Sequence, residues 1–117
     1  MYKNCPIETT LDMISGKWKT LILRELIQGP VRYGVILKDL CDISPKVLTQ
    51  QLRDMEDSQL ISRKVYPEVP SRVEYSLSEK GRAMFPILLE LRRWGMINNE
   101  DCGQDCDSCQ RCMPKNT

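Results

Sequence analysis

The densest group of chemically reactive side chains is a set of cysteines near the end of the sequence. They are spaced C-x3-C-x2-C-x2-C, at Cys102, Cys106, Cys109 and Cys112. Four thiolates this close together are enough to bind a soft metal ion. Structural zinc usually joins two separated cysteine pairs, whereas closely spaced cysteines are nearer to iron–sulfur loops. Zinc, an iron–sulfur cluster, a thiol redox switch and a flexible tail without a cofactor all remain alternatives, and nothing else in the chain requires a cofactor.

Two further cysteines, Cys5 and Cys41, lie in the body of the sequence. Cys5 directly precedes Pro6, which is predicted to begin a helix, so its thiolate would be stabilised by the dipole at the helix N-terminus. Lys3 adds a cation nearby in the sequence. We therefore expect Cys5 to be the most reactive thiol of the body. Cys41 is expected to lie in the core, because free cysteine is often buried.

The residue types that most enzyme sites need are missing. The sequence has no histidine, which excludes Ser–His and Cys–His nucleophile pairs, the HExxH zinc motif and the Cys2His2 finger. The six glycines are scattered and form no phosphate-binding loop. The carboxylates show no pairing that differs from that of solvated helix faces. The sequence therefore predicts a protein that is not an enzyme.

Length and composition predict one ordinary globular domain. A chain of 117 residues with 41% hydrophobic and 28% charged residues can bury a core without disulfides. No apolar run approaches the roughly 18 residues that a membrane span requires. We therefore expect a cytoplasmic protein without a membrane partner.

The net charge of +1 hides a difference between the body and the end of the chain. Residues 1–97 contain fifteen Lys and Arg against twelve Asp and Glu, whereas residues 98–117 contain two against four. The sequence therefore divides into a mildly basic domain, 1–97, and a cysteine-rich acidic tail, 98–117. Binding to phosphates depends on where cations cluster rather than on their sum, so the elements that carry the cations decide which partner fits.

Apolar residues at helical spacing predict four helices in the first half of the chain, at 6–14, 17–26, 33–40 and from Ser44 to about 56. In the last of these, Ser44 is a good N-cap and Pro45 suits the first helical position. Its apolar stripe consists of Val47, Leu48, Leu52 and Met55. The opposite face carries hydrogen-bond donors and no acid, namely Lys46, Thr49, Gln50 and Arg53.

A β-hairpin is predicted at 60–78, because apolar residues alternate with polar ones on both sides of the segment PEVP. Its tip is cationic, with Arg63, Lys64 and Arg72. Ser78 then caps a last helix, which Pro86 should kink. One face of that helix is apolar and consists of Met84, Leu88, Leu91 and Trp94.

This order of elements is that of a winged helix-turn-helix, a mostly helical fold with a small β-hairpin wing. In such a fold the capped helix enters a major groove, where Gln and Arg can pair with adenine and guanine edges. Ser44 and the helix N-terminus would meet a phosphate, and the hairpin cations would reach the minor groove or backbone. A winged-helix module that binds only proteins, with a solvated helix face, and a small thiol-redox or metal-binding protein remain the alternatives.

Three segments carry a resemblance to a known family: CPIETTLDMISGKWKTLILREL, ISPKVLTQQLRDME and VPSRVEYSLSEKGRAMFPILLELRRWG. Over about residues 5–95 the chain resembles the HxlR-type branch of the MarR-like winged-helix regulators. The resemblance implies a homodimeric bacterial transcription factor that binds an inverted repeat in double-stranded DNA. It also implies that the N- and C-terminal helices form the dimer interface, which makes the apolar face from Met84 to Trp94 interface or core.

The resemblance gives Cys5 a further reading, because some members of that family use a cysteine at this position to sense oxidants or electrophiles. The alternative is a small residue packed where two protomers meet. The chain departs from the family pattern at Gly34, which lowers helix propensity, and at Cys41 in the following turn.

Overall fold

The computed structural model describes residues 5–99, which form a mostly helical fold with a small antiparallel sheet. The helices are α1 (Pro6–Ile14), α2 (Lys17–Leu26), α3 (Tyr33–Leu40), α4 (Pro45–Asp57), α5 (Glu79–Arg82) and α6 (Phe85–Asn98). The strands are β1 (Val31–Arg32), β2 (Ile61–Tyr66) and β3 (Arg72–Leu77). The predicted winged helix-turn-helix is confirmed: α3 and α4 are the helix pair, and the hairpin of β2 and β3, here called the wing, follows them. The predicted division between the domain and the tail at residue 98 stays a prediction.

The first four predicted helices are confirmed, because local signals fix their ends. Pro6 and Pro45 stand in the first turns of α1 and α4, where a missing N–H costs nothing. Gly16 precedes α2 with a φ of 95°, a backbone conformation that glycine adopts without strain. The segment from Gln28 to Pro30 ends α2, as predicted.

Within residues 5–99 the sheet has three strands, in the order β1-β3-β2. The predicted hairpin is confirmed, with Ile61 opposite Leu77 and Val65 opposite Val73. The strand β1 was not predicted, because two residues are too short to show an alternating pattern. It pairs with β3 through Val31 opposite Tyr75 and so connects the wing to the start of α3.

The core lies between the helices and one face of the sheet. Its fully buried side chains come from α2, α3, α4 and the start of the wing; they are Ile22, Leu23, Leu26, Ile36, Leu48, Leu52, Met55 and Leu60. The predicted stripe of α4 is therefore confirmed except at Val47, which is 37% exposed. Leu48, Leu52 and Met55 follow one another at four and three residues, whereas Val47 lies about 100° around the helix from Leu48.

The prediction of one kinked C-terminal helix is wrong. The chain forms α5, which ends at Arg82, and α6, which begins at Phe85 with Pro86 in its first turn. Proline lacks the N–H that would continue the helix, so the chain starts a new one. The Ser78 cap is confirmed, since its Oγ accepts a hydrogen bond from the Gly81 N–H at 3.0 Å. Gly81 itself packs on the backbone of Leu60, and a Cβ there would collide with the Leu60 carbonyl oxygen.

Candidate nucleic-acid interface

The helix α4 presents one side to solvent because its other side is buried. The Ser44 Oγ accepts a hydrogen bond from the Val47 N–H at 3.2 Å, which closes the first turn, and it keeps its own hydrogen for another partner. Leu48, Leu52 and Met55 hold the helix against the core. The outward side therefore stands at a fixed angle, as reading a major groove requires.

All four residues predicted for the outward side of α4 are exposed. Within residues 5–99, Lys46 and Arg53 form no hydrogen bond or ion pair with another residue. Gln50 and Thr49 have partners: the Gln50 Nε2 donates to the Asp54 Oδ1 at 2.9 Å, and the Thr49 Oγ1 lies 3.1 Å from the hydroxyl of Tyr33. Two cations and two amide or hydroxyl groups thus share one surface, of which the cations are the more available.

The expectation that this side of α4 carries no acid is wrong. Asp54 lies one turn after Gln50 and accepts its hydrogen bond. Its other carboxylate oxygen is 4.0 Å from the Lys19 Nζ on α2. The carboxylate is therefore shared between an amide and a cation, which lowers its repulsion toward a phosphate.

Tyr33 adjoins this surface through contacts that the sequence did not predict. It begins α3, and its hydroxyl donates to the Pro45 carbonyl oxygen at 3.1 Å. A tyrosine hydroxyl has a single hydrogen, so the Thr49 hydroxyl is the donor in the second contact. Tyr33 thereby joins the first helix of the pair to the first turn of α4. Only the structure shows this contact, since the two residues are sixteen positions apart.

The three predicted wing cations differ in how far their charge is compensated. The Arg63 Nε lies 3.7 Å from the Glu56 Oε2, and Lys64 stacks over the Tyr66 ring. Arg72 contacts two carboxylates, Glu68 at 3.3 Å and Glu74 at 3.7 Å, and it also stacks on Tyr66. Arg63 and Lys64 are thus the better placed wing residues for a nucleic-acid backbone, whereas Arg72 holds the hairpin together.

The tip of the wing differs from the cationic tip that the sequence suggested. Val69 is fully exposed there, between Pro67 and Pro70. The charged residues nearest to it, Glu68 and Arg72, pair with each other. The outermost point of the wing is therefore apolar, and its cations lie further back on the strands.

Cys5 lies directly before α1 and is half-buried. Its backbone carbonyl accepts hydrogen bonds from the backbone N–H and the side-chain hydroxyl of Thr9, both at 3.0 Å. The expectation of a core position for Cys41 is wrong, since Cys41 is exposed in the turn after α3. Cys41 has a φ of 58° in that turn, which connects α3 to α4. The four tail cysteines lie outside the described residues.

The outer sides of α1 and α6 are apolar and exposed. Ile7 and Leu11 stand on α1, and Leu91, Trp94 and Ile97 on α6. Of the four residues predicted for an interface or the core, Met84 is buried and Leu88 packs against the core. Leu91 and Trp94 are 54% and 64% exposed. No residue of α6 is fully buried, so this helix covers little of the core and offers an apolar surface.

Residues 5–99 contain neither a candidate membrane span nor a candidate metal site. None of the helices in that range is both long enough and apolar enough to cross a membrane. In the same range, no group of three or more cysteine or carboxylate side chains is placed to hold a metal ion.

The fold and the exposed side of α4 define a winged helix-turn-helix protein of the kind that regulates transcription. A family model described as HxlR-like helix-turn-helix matches residues 13–102. The HTH-type transcriptional regulator YdeP of Bacillus subtilis strain 168 is 46% identical over 94 residues, which are 80% of this chain and 73% of YdeP. The chain therefore belongs to the HxlR-like helix-turn-helix family, as the resemblance predicted.

Solved structures agree with this assignment. A MarR-family transcriptional regulator of Porphyromonas gingivalis W83 matches with a TM-score of 0.78 and 37% identity, over 84% of this chain and 96% of that one. The redox regulator HypR in its oxidised form matches with a TM-score of 0.75 and 42% identity, over 82% of this chain and 99% of HypR. The family consists of transcriptional regulators, which confirms the prediction of a DNA-binding regulator rather than an enzyme.

Proposed function

We propose that the chain acts as a homodimer that binds an inverted repeat in double-stranded DNA and changes its affinity when Cys5 is modified. One observation carries the DNA-reading part. On the outward side of α4, Lys46 and Arg53 make no ion pair within residues 5–99, and they stand on the helix that begins beside Tyr33. Arginine can form paired hydrogen bonds with a guanine edge, and lysine can approach a phosphate or a guanine.

The proposed dimer rests on the apolar sides of α1 and α6. Exposed Leu and Ile side chains, and above all an exposed Trp94, are costly in water and gain stability when a second copy covers them. The interface would be built on Leu91 and Trp94 rather than on Met84, which the core already buries. A dimer of this kind would place two α4 helices roughly 34–36 Å apart, the distance between successive major grooves on one DNA face.

The proposed sensing step uses the position of Cys5 on the same helix as Ile7 and Leu11. A peroxide would oxidise the thiol to a sulfenic acid and be reduced to water or an alcohol. Condensation with a second thiol would then form a disulfide and release water. A polar or cross-linked group at the start of α1 would change the packing of the proposed interface. HypR, named a redox regulator and solved in both oxidised and reduced forms, supports this part.

The link between Cys5 and DNA would be the separation of the two α4 helices. Modification of Cys5 would favour one dimer packing over another, and only one packing would match successive grooves. The cysteine tail is a second proposed site of chemistry. Zinc or an iron–sulfur cluster held by Cys102, Cys106, Cys109 and Cys112 stays a prediction, since these residues lie outside the described ones.

The experiment is DNA binding by the anaerobically purified protein to a duplex from its own upstream region, before and after peroxide, with Cys5→Ser as the matched control. Cys5→Ser replaces the thiol by a hydroxyl of similar size at the N-cap. We expect peroxide to change the affinity of the wild type by about tenfold or more, a coupling of roughly 1.4 kcal/mol, and to leave that of the variant unchanged. An equal response of both proteins would exclude Cys5 as the sensor. Metal analysis of the same sample tests the tail.

A further inference from the structure

A cleft of about 550 Å³ lies between the wing and the start of α3. Its lining includes three arginines, Arg32, Arg63 and Arg72, one carboxylate, Glu68, and the residues Tyr33 and Gly34. We propose that this cleft holds the sugar–phosphate strand between the major groove entered by α4 and the minor groove beside the wing, with Arg32 as the principal phosphate ligand. This inference rests on the proposed function, because it requires α4 to read DNA.

The position of the cleft fits that strand. One wall is the wing, and the other is the beginning of α3, which Tyr33 attaches to the first turn of α4 through the Pro45 carbonyl. The two grooves of a duplex are separated by one phosphodiester strand. A helix in the major groove and a hairpin at the adjacent minor groove must therefore have that strand between them. The cleft is the concave surface at this place.

The charges in the cleft favour Arg32 over the other two arginines. Arg72 is compensated by Glu68 and Glu74, and Arg63 lies near Glu56. Arg32 is exposed and forms no ion pair within residues 5–99. Its cross-strand neighbour is Glu74, whose carboxylate already pairs with Arg72. Arg32 is thus the cation of the cleft with the least internal compensation, and an arginine guanidinium matches phosphate geometry.

Gly34 lines the cleft and leaves room beside its backbone. A Cβ built at this position meets no atom within 4 Å, so a methyl group there would not disturb the packing. The same methyl group would occupy space at the surface where a phosphate or sugar approaches the backbone. Gly34→Ala therefore separates an effect on DNA from an effect on the fold.

The test measures binding of four variants to a labelled duplex from the upstream region and to an unrelated duplex of equal length, across a salt series. Arg32→Ala should weaken binding to both duplexes by a similar factor, roughly tenfold at low salt. Its plot of log K against log salt should be shallower by about 0.9 per bound protomer, the change expected from one lost phosphate contact. Gly34→Ala should also weaken binding to both, with a melting temperature equal to or above that of the wild type.

Arg82→Ala is the charge control, because it removes an equal charge from α5, outside the cleft. It also removes a hydrogen bond to the Ile27 carbonyl oxygen, so its melting temperature is measured alongside. Arg53→Ala reports on α4. Unchanged affinity and salt slope in Arg32→Ala, with lost specificity in Arg53→Ala, would overturn the assignment of the cleft as a phosphate site. The proposed function would still stand. An equal loss in Arg82→Ala and Arg32→Ala would show a general charge effect and would also overturn the assignment of the cleft. No specific binding by the wild type would overturn both proposals.

Discussion

The hydroxyl of Tyr33 lies 3.1 Å from the Oγ1 of Thr49 and 3.1 Å from the carbonyl oxygen of Pro45. One side chain at the start of α3 thereby contacts both the backbone of the first turn of α4 and the side chain of Thr49 in its second turn. The turn between the two helices is short, and this contact helps to fix the orientation of α4 relative to α3. The direction of α4 decides which base edges its outward side can reach.

Removal of the Tyr33 hydroxyl tests this relationship. Tyr33→Phe keeps the ring and removes two hydrogen bonds, so the free energy of unfolding should fall by about 1 kcal/mol. Specific DNA affinity should fall by more than this loss of stability explains, because α4 is less firmly oriented. Urea denaturation and DNA titration measure the two effects. Tyr66→Phe is the control, since within residues 5–99 the Tyr66 hydroxyl makes no hydrogen bond; an equal effect of both variants would contradict the role of Tyr33.

Substitution by alanine should have opposite effects on stability at two glycines, Gly81 and Gly34. Gly81→Ala places a methyl group against the Leu60 carbonyl, a backbone atom that cannot move away alone. We expect a loss of stability of about 1–3 kcal/mol, the range for overpacked sites. Gly34→Ala meets no neighbour and should be neutral or stabilising by up to roughly 1 kcal/mol. Thermal denaturation of the two variants measures the contrast, and similar melting temperatures would show that Gly81 is not tightly packed.

Glu25 gives the fold a pH dependence. Burial raises the pKa of its carboxyl above the ordinary 4.5, and a hydrogen bond with Asp39 adds to this, while Arg24 acts in the opposite direction. The fold thus favours the protonated form. The stability that comes from this preference is fully present below about pH 4.5 and is lost as the pH rises through the folded-state pKa.

Glu25→Gln imitates the protonated carboxyl and tests this sign. The variant should be more stable than the wild type at neutral pH, and its free energy of unfolding should decline less as the pH rises above 4.5. Glu90→Gln, which removes an exposed carboxylate paired with Arg93, is the control. Urea denaturation at a series of pH values measures both. A parallel decline in wild type and Glu25→Gln would show that Glu25 is not the group responsible.

Substitution of two wing cations should have two different effects, a loss of DNA affinity for Lys64 and a loss of hairpin stability for Arg72. Lys64→Ala should weaken binding to all DNA sequences to a similar extent and lower the salt dependence, because backbone contacts carry no sequence information. Arg72→Ala should instead lower the stability of the hairpin, since Arg72 contacts Glu68, Glu74 and the Tyr66 ring. Hydrogen exchange of the β2 and β3 amides distinguishes the two. Unchanged protection in Arg72→Ala would contradict its structural role.

Much of the fold could be predicted because residues close to each helix end determine where that helix begins. Ser44, Pro45, Pro6 and Gly16 each act within a turn of their own position, so α1, α2 and α4 begin where the sequence predicts. The strand β1 has no such signal, because it exists only through its pairing with β3. Pro86 predicts a disruption of the helix, but whether a helix bends or restarts at a proline depends on the packing on both sides.

The residue types of the candidate interface could be predicted from the sequence. Which of these side chains already have a partner inside the domain, and are therefore less available to DNA, could not. The outward side of α4 follows from the apolar stripe alone. The partners of Gln50 and Arg72 do not, since Asp54 and Glu74 become neighbours only when the helix and the wing form. Tyr33 shows the same limit, because its contacts cross the turn between two helices.

The most direct test of α4 as the DNA-reading helix compares Arg53→Ala, Lys46→Ala and the wild type. Their binding is measured to the duplex from the upstream region and to an unrelated duplex of equal length, at several salt concentrations. We expect the wild type to prefer the upstream duplex and Arg53→Ala to lose most of this preference, at a cost of about 1–3 kcal/mol in discrimination. A steep fall in affinity with salt should remain in both. Full specificity in both variants, or no preference in the wild type, would contradict the assignment of α4 as the reading element.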